Sequence, residues 1–470
     1  MKNYSKLLLF SIFMLILVAW CPSRIVAQST IYEVTDDGAE FSIVRHYKNR
    51  VDIVFDILVS NYRFSYVDRG AGTSITVFLP TGMGVSDFRI ADDTVYFCGN
   101  YYRSITSGGA LIGYFSISDV FFNGGSIHYL VCDQIHYVAP NQNYFVRGYE
   151  QLLGFGRMRV VKEYGATHLL MTGGAMYVDT ANNTLHYPSV LADFWHCGND
   201  PWKLEYIMDY FEEYTYDDIA VTDDNVVVTV REWTYPLPST HNLISYNRYT
   251  EENICQNIFK IQNGYFDGIV PMPIYHTTPS VMQVINNICI EAMGGNDFAT
   301  VCIADIPGLG HQTVISFYND PTLPPALRVG DNSTAYWEYR ELAYNKKNKT
   351  LYMIPVYPEN QIRHITAPYT DLVTTEDISG EHIWFSLDYV PSFNRCVVSG
   401  SRSDLSLRAL WLFSELMMED ECTNSEKIEV EPLEDDQYYF NHEQILSDYI
   451  IRWDIWWPEH EEYPLEIICE

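Results

Sequence analysis

Arginine and aromatic side chains recur together in the segments that separate the apolar runs of this chain. Tyr101, Tyr102 and Arg103 stand in one such segment, Arg231, Trp233 and Tyr235 in another, and His311, Tyr357 and Arg402 in three more. A guanidinium pairs bidentately with a carboxylate, and an aromatic face stacks on a sugar ring or another planar group. The chemistry expected of these residues is recognition of a glycan or an acidic small molecule. The selection stands out because the chain holds only 29 Lys and Arg against 61 Asp and Glu. The alternative is that they tie down loops by ordinary packing. Asp68, Asp305, Glu359 and Asp404 occupy segments of the same kind. Two carboxylates at a suitable separation, one with a raised pKa, are enough for glycoside hydrolysis. An acidic chain supplies such pairs by chance, so binding is the first expectation and catalysis, as a hydrolase or lyase, the second.

Other chemistries lack their residues. There is no GxSxG, HExxH, Walker loop or GxGxxG, and His442-Glu443 is followed by Ile445-Leu446 without a second His. No CxxC pair or Cys/His cluster has zinc spacing, and the acidic turns Asp92-Asp93 and Asp223-Asp224-Asn225 do not match a calcium loop. No metal and no cofactor are expected. Trp453, Trp456 and Trp457 form the densest aromatic cluster. Indoles of this kind anchor an interface or dock a tail, which keeps a protein-interaction scaffold as a third possibility.

The elements that must position these residues are repeated hairpins. FSIVRHYKNRVDIVF (41–55), DFRIADDTVYFCG (87–99), DDIAVTDDNVVVTV (217–230), YRELAYNKKNKTLYMI (339–354) and FSLDYVPSFNRCVVSG (385–400) share one order. A short strand leads to an Asn/Asp turn, and a more apolar strand follows. MRVVKEYGATHLLMTGG (158–174) repeats the order with Gly165 at its turn, and a further unit lies near NDFATVCIAD (296–305). Third strands are expected at 74–80, 111–117, 174–180, 242–248, 313–319, 361–367 and 407–413, with SIHYLV (126–131) as a fourth strand in the second unit. Strand-only units of about 40–50 residues make a β-propeller. The expected fold is therefore an all-β propeller of seven blades, six or eight being the alternatives, with insertions in the middle blades. Thr30–Val34 is expected to close the ring by joining the last blade. Helices are expected only at Trp202–Tyr214 and Asn441–Ile451.

The strand, Asn/Asp turn and Gly-terminated strand resemble the blades of NHL-like propellers, and MTGGAMYVDTANNTLHY (171–187) resembles a kelch segment with Leu185 where kelch repeats carry Trp. With the N-terminal leader, the pattern is similar to secreted propeller-like proteins of Bacteroidetes. The resemblance covers roughly residues 40–415 as a pattern. It implies a propeller and carries over no catalytic residue.

Lys2 and Lys6, the apolar stretch Leu7–Trp20 and Ile25-Val26-Ala27 read as a secretory signal cleaved after Ala27. Cys21 offers a lipidation alternative, which the bulky Trp20 disfavours. The expected location is secreted: periplasmic, cell-surface or extracellular. The expected organisation is a signal peptide (1–27), a propeller (28–415) and a closing segment packed on the ring (416–470). A formal net charge of −32 repels phosphate backbones, so nucleic acid is excluded as a partner, and no later segment is long enough to span a membrane. A glycan or an envelope protein remains as partner. Ten Cys, of which Cys21 falls in the leader, leave an odd number and at least one free or intermolecular thiol. Cys396, inside an apolar strand, is expected to be buried and free.

Overall fold

The computed structural model describes residues 30–35, 39–58, 62–68, 71, 73–104, 107–132, 150–163, 165–179, 184–186, 189–198, 201–209, 214–232, 240–247, 272–273, 283–284, 288–306, 310–320, 325–331, 339–355, 361–369, 374–377, 382–391, 395–402 and 408–412. The expected leader (1–27), the segment 416–470 and the expected helix at Asn441–Ile451 lie outside the described residues.

The described strands form seven antiparallel sheets, each adding strands outward in chain order. The first holds Ala39–Lys48, Val51–Leu58, Tyr62–Asp68 and Thr73–Phe78. The second holds Met83–Ala91, Thr94–Ser104, Ser107–Ser116 and His128–Cys132. The third holds Glu150–Glu163, Ala166–Asp179, Ser189–Cys197 and Lys203–Asp209, with Thr184–His186 as a side strand. The fourth holds Tyr214–Val221, Asn225–Glu232, Thr240–Asn247 and Met272–Pro273.

In the fifth, Gln283–Val284 and Cys289–Gly294 together edge Asp297–Ile306, followed by Gly310–Tyr318 and Leu327–Asp331. The sixth holds Tyr339–Asn345, Thr350–Pro355, Gln361–Thr366 and Thr374–Asp377. The seventh holds His382–Val390, Arg395–Arg402 and Arg408–Leu412, and its outer strand is Thr30–Thr35.

The first strand of each sheet touches the first strand of the next, and His382–Val390 returns to Ala39–Lys48. This closed cycle of inner strands makes the chain a β-propeller. Thr30 lies opposite Leu412 and Ile31 opposite Trp411, so the N-terminal strand closes the ring as expected. Ring closure hides two strand edges that would otherwise invite pairing with other chains.

The cores lie between neighbouring sheets. Phe64 of the first sheet sits among Phe55, Phe88, Phe97 and Phe115, with ring centroids 5.1–5.7 Å apart. Large rings fill the wedge between two twisted sheets, which accounts for an aromatic content of 15%. Second strands are buried on both faces and read as continuous apolar runs, as in Val226–Val228. Cys396 is buried as a thiol outside any disulfide, as are Cys98, Cys289 and Cys302.

Three expectations need correction. Lys203–Asp209 is a strand paired with Ser189–Cys197, not part of a helix at Trp202–Tyr214. Leu204, Tyr206 and Met208 also satisfy a period of two, and pairing with the outer edge of the third sheet outweighs the helical spacing. Residues 74–80 supply the fourth strand of the first sheet; its third is Tyr62–Asp68. The segment at 174–180 continues the 14-residue second strand Ala166–Asp179, and the third strand is Ser189–Cys197.

Candidate functional site

An innermost propeller strand has one edge with no strand to pair with, and its backbone groups need other partners. Charged side chains on the neighbouring inner strands supply many of them. The Met158 N–H donates to Asp87 Oδ2 (3.0 Å), the Ile290 N–H to Asp218 Oδ2 (3.1 Å), the Leu387 N–H to Glu341 Oε2 (3.1 Å) and the His46 N–H to Asp388 Oδ2 (2.7 Å). In each case a carboxylate of one sheet reaches the backbone of the following sheet. Arg45 Nε donates in the same direction, to the Phe88 carbonyl (2.9 Å).

The same charges pair with one another across the channel. Arg45 Nη2 lies 2.7 Å from Asp87 and 2.6 Å from Glu341 of the sixth sheet. Arg159 of the third sheet lies 3.6 Å from Asp218 and 3.5 Å from Glu291 of the fifth. Buried ions are tolerated only when paired and hydrogen-bonded, and Arg45, Asp87, Asp218 and Glu341 meet both conditions. Burial alone would raise Asp87, but Arg89 and Arg45 beside it hold its carboxyl well below the usual range. Glu341 is likewise lowered by Arg45 and Arg89 against its burial. Glu291 is pushed up to about 7 by burial, which Arg159 only partly offsets. Asp388 is also raised by burial. The result is a plug of charge that fills the middle of the ring.

Above this plug the inner strands share a second feature. The register slips between Val85 and Asp87, Phe155 and Arg157, Tyr216 and Asp218, Tyr339 and Glu341, and Trp384 and Ser386. Five sheets thus carry a β-bulge at one level, occupied by Ser86, Gly156, Asp217, Arg340 and Phe385. A bulge bends its strand and re-aims the adjoining side chains. It also explains a glycine within the second strand beside the bulge. Val85 faces Gly99 and Phe155 faces Gly173. A Cβ on Gly99 would lie 1.9 Å from the Gly84 carbonyl oxygen, and one on Gly173 would lie 2.3 Å from that of Gly154.

The residues singled out from the sequence fall at strand ends on the rim where the inner strands begin. Tyr101 pairs with Met83 and Gly109, Tyr102 with Gly108, and Arg103 lies in the same strand. Arg231 pairs with Thr215 and His241, His311 with Asp305, and Arg402 with His382. The Tyr101 ring packs against the core between the first two sheets. Trp233, Tyr235, Tyr357, Glu359 and Asp404 lie outside the described residues. Asp68 is not on this rim: it ends the third strand opposite Val51, on the hairpin-tip face, and its Oδ1 accepts the Ala71 N–H (3.1 Å) as a turn residue. The displacement follows from the reassignment of 74–80 to the fourth strand.

Sequence reasoning missed the plug entirely. Its signal is present, as an ionisable residue within each described inner strand: Arg45, Arg89, Arg159, Asp218, Glu291, Glu341 and Asp388. Among the described residues no group of three or more His, Cys, Asp or Glu is placed to hold a metal ion.

No protein-family model matches the chain, and no curated protein matches it in sequence. Among solved structures, the chain is similar to the β-propeller domain of the Trilobed protease from Pyrococcus furiosus, described as having an open velcro topology. The identity is 8%, the TM-score 0.42, and the match covers 80% of this chain and 97% of that one.

Proposed function

We propose that the protein is an exported recognition module that holds a glycan or an acidic small molecule at the mouth of its channel, on the rim where the inner strands begin. The observation that carries this reading is the plug. Arg45, Asp87, Asp218 and Glu341 are spent on one another, on neighbouring arginines and on backbone groups, so a ligand has the mouth to occupy rather than the channel. Tyr102, Arg103, Arg231, His311 and Arg402 stand at strand ends around that mouth, which in propellers is a common place for ligands.

Export is supported by the leader-like N-terminus and by Cys197, which is disulfide-bonded. Such bonds persist in oxidising compartments. Among the described residues no helix is long and apolar enough to cross a membrane.

The test is a glycan-array screen of the mature chain beside a variant with Arg103, Arg231 and Arg402 all changed to Gln. Binding by the wild type that falls at least tenfold in the triple variant supports the reading. Equal binding by both removes the rim from it.

A further inference from the structure

The bulge level has a chemistry of its own, and it deepens the recognition reading, on which it rests. Arg157 follows the bulge residue Gly156 on the third sheet, and its side chain is 28% exposed. Among the described residues its one hydrogen bond runs from Nη2 to the Arg340 carbonyl of the sixth sheet (2.6 Å), across the ring. Asp218 stands 4.0 Å from its Nε, beyond hydrogen-bond reach, and that carboxylate already serves Arg159 and the Ile290 N–H. A guanidinium carries five N–H donors. Most of those on Arg157 therefore remain available in a partly exposed position.

The surroundings supply space and an apolar face. Gly156 is exposed, and a Cβ there would meet nothing nearer than the Thr172 carbonyl oxygen at 3.9 Å. The Phe385 ring is buried beneath the Arg340 guanidinium (4.7 Å) and backs the half-buried Phe41, 5.6 Å away, which is the partly exposed ring of the pair. A cation with spare donors, an opening next to it and an aromatic shelf beyond match a ring compound that bears an anionic group. Planar bidentate geometry favours a carboxylate.

We propose that the mouth binds a carboxylate-bearing sugar, with Arg157 holding the carboxylate and Phe41, backed by the buried Phe385, covering the apolar face of the ring. Calorimetric titration of the mature full chain with galacturonate, glucuronate and N-acetylneuraminate tests this, with galactose and inorganic phosphate as controls. The expected result is binding of at least one acidic sugar, no binding of galactose, and a loss of at least tenfold in Arg157→Gln.

Gly156→Leu provides a second variant, since it fills the opening without touching the charge network. It is expected to lose binding while melting at the wild-type temperature. Silence towards all three acidic sugars overturns the proposal, as does equal affinity for galactose. Binding of phosphate in their place also overturns it, as an inorganic oxyanion site. Retained affinity in both variants, with loss in the Arg103/Arg231/Arg402 variant, would leave the rim reading standing and remove Arg157 from it.

Discussion

Arg45 of the first sheet and Glu341 of the sixth meet across the ring, Nη2 to Oε1, at 2.6 Å. Each also serves an adjacent sheet: Arg45 donates to the Phe88 carbonyl, and Glu341 accepts the Leu387 N–H and the Ser386 hydroxyl. The pair therefore ties sheets that are far apart in sequence, and its removal should be felt by the whole ring.

Arg45→Met removes the nearer of the two cations shared by the buried Asp87 and Glu341 and leaves them Arg89, at 3.2 and 3.8 Å. The expected cost is about 3–5 kcal/mol of unfolding free energy, read by denaturant titration. Adding Glu341→Gln should cost less than the sum of the two single changes, because the second change removes a charge that has already lost its nearest partner. Strict additivity would show that the two residues do not interact.

Glu291 sets a pH dependence of definite sign. Its folded pKa, about 7, lies above its ordinary value of 4.5, so the folded protein binds this proton more tightly than the unfolded chain. The contribution of this group to stability is therefore greatest below about pH 4.5 and is lost as the pH rises through 7, on the order of 2–3 kcal/mol. Asp87 and Glu341 act in the opposite sense, since both are lowered and lose their contribution as the pH falls. Comparing wild type with Glu291→Gln isolates the first effect. The difference between their unfolding free energies should change between pH 4.5 and 7 and stay flat above that range.

Gly99→Ala should be destabilising by about 1–3 kcal/mol, because its Cβ would meet the Gly84 carbonyl oxygen at 1.9 Å and force the bulge to move. Gly174→Ala is the control. A Cβ there meets nothing within 4 Å, and the change should stay within about 0.5 kcal/mol of wild type. Equal melting temperatures for the two variants would contradict the assigned role of the bulge.

Removing residues 28–35 opens the ring by stripping Thr30–Thr35 from Arg408–Leu412. The shortened chain should melt earlier and less cooperatively than the chain beginning at Gln28, and limited proteolysis should cut it first near the exposed strand Arg408–Leu412. Unchanged melting and cleavage would mean that closure contributes nothing to stability.

Hairpins were legible because turn chemistry and alternation act over a few residues. Asn49 and Asp92 adopt positive φ (51° and 56°), and Gly165 sits at 83°, as the left-handed turn positions require. The closing strand was legible because a ring demands one. Strand order within a blade was less so: the long second strand Ala166–Asp179 runs through the segment expected to be a third strand, and Lys203–Asp209 fits two periodicities at once. The charge plug was hidden for a different reason. Asp87 and Glu341 look like surface residues until the ring brings seven inner strands together, and that proximity is a property of the closed fold. Rim residues such as Arg231 and Arg402 were placed from loop position, because strand ends follow directly once the hairpins are known.

Hydrogen–deuterium exchange of the mature chain, with and without the acidic sugar that binds, tests the central claim most directly. The account predicts slower exchange confined to the rim where inner strands begin, in peptides covering 97–104, 150–158 and 398–402. Protection instead at the hairpin tips around Asp92-Asp93 and Asp223-Asp224 would contradict it.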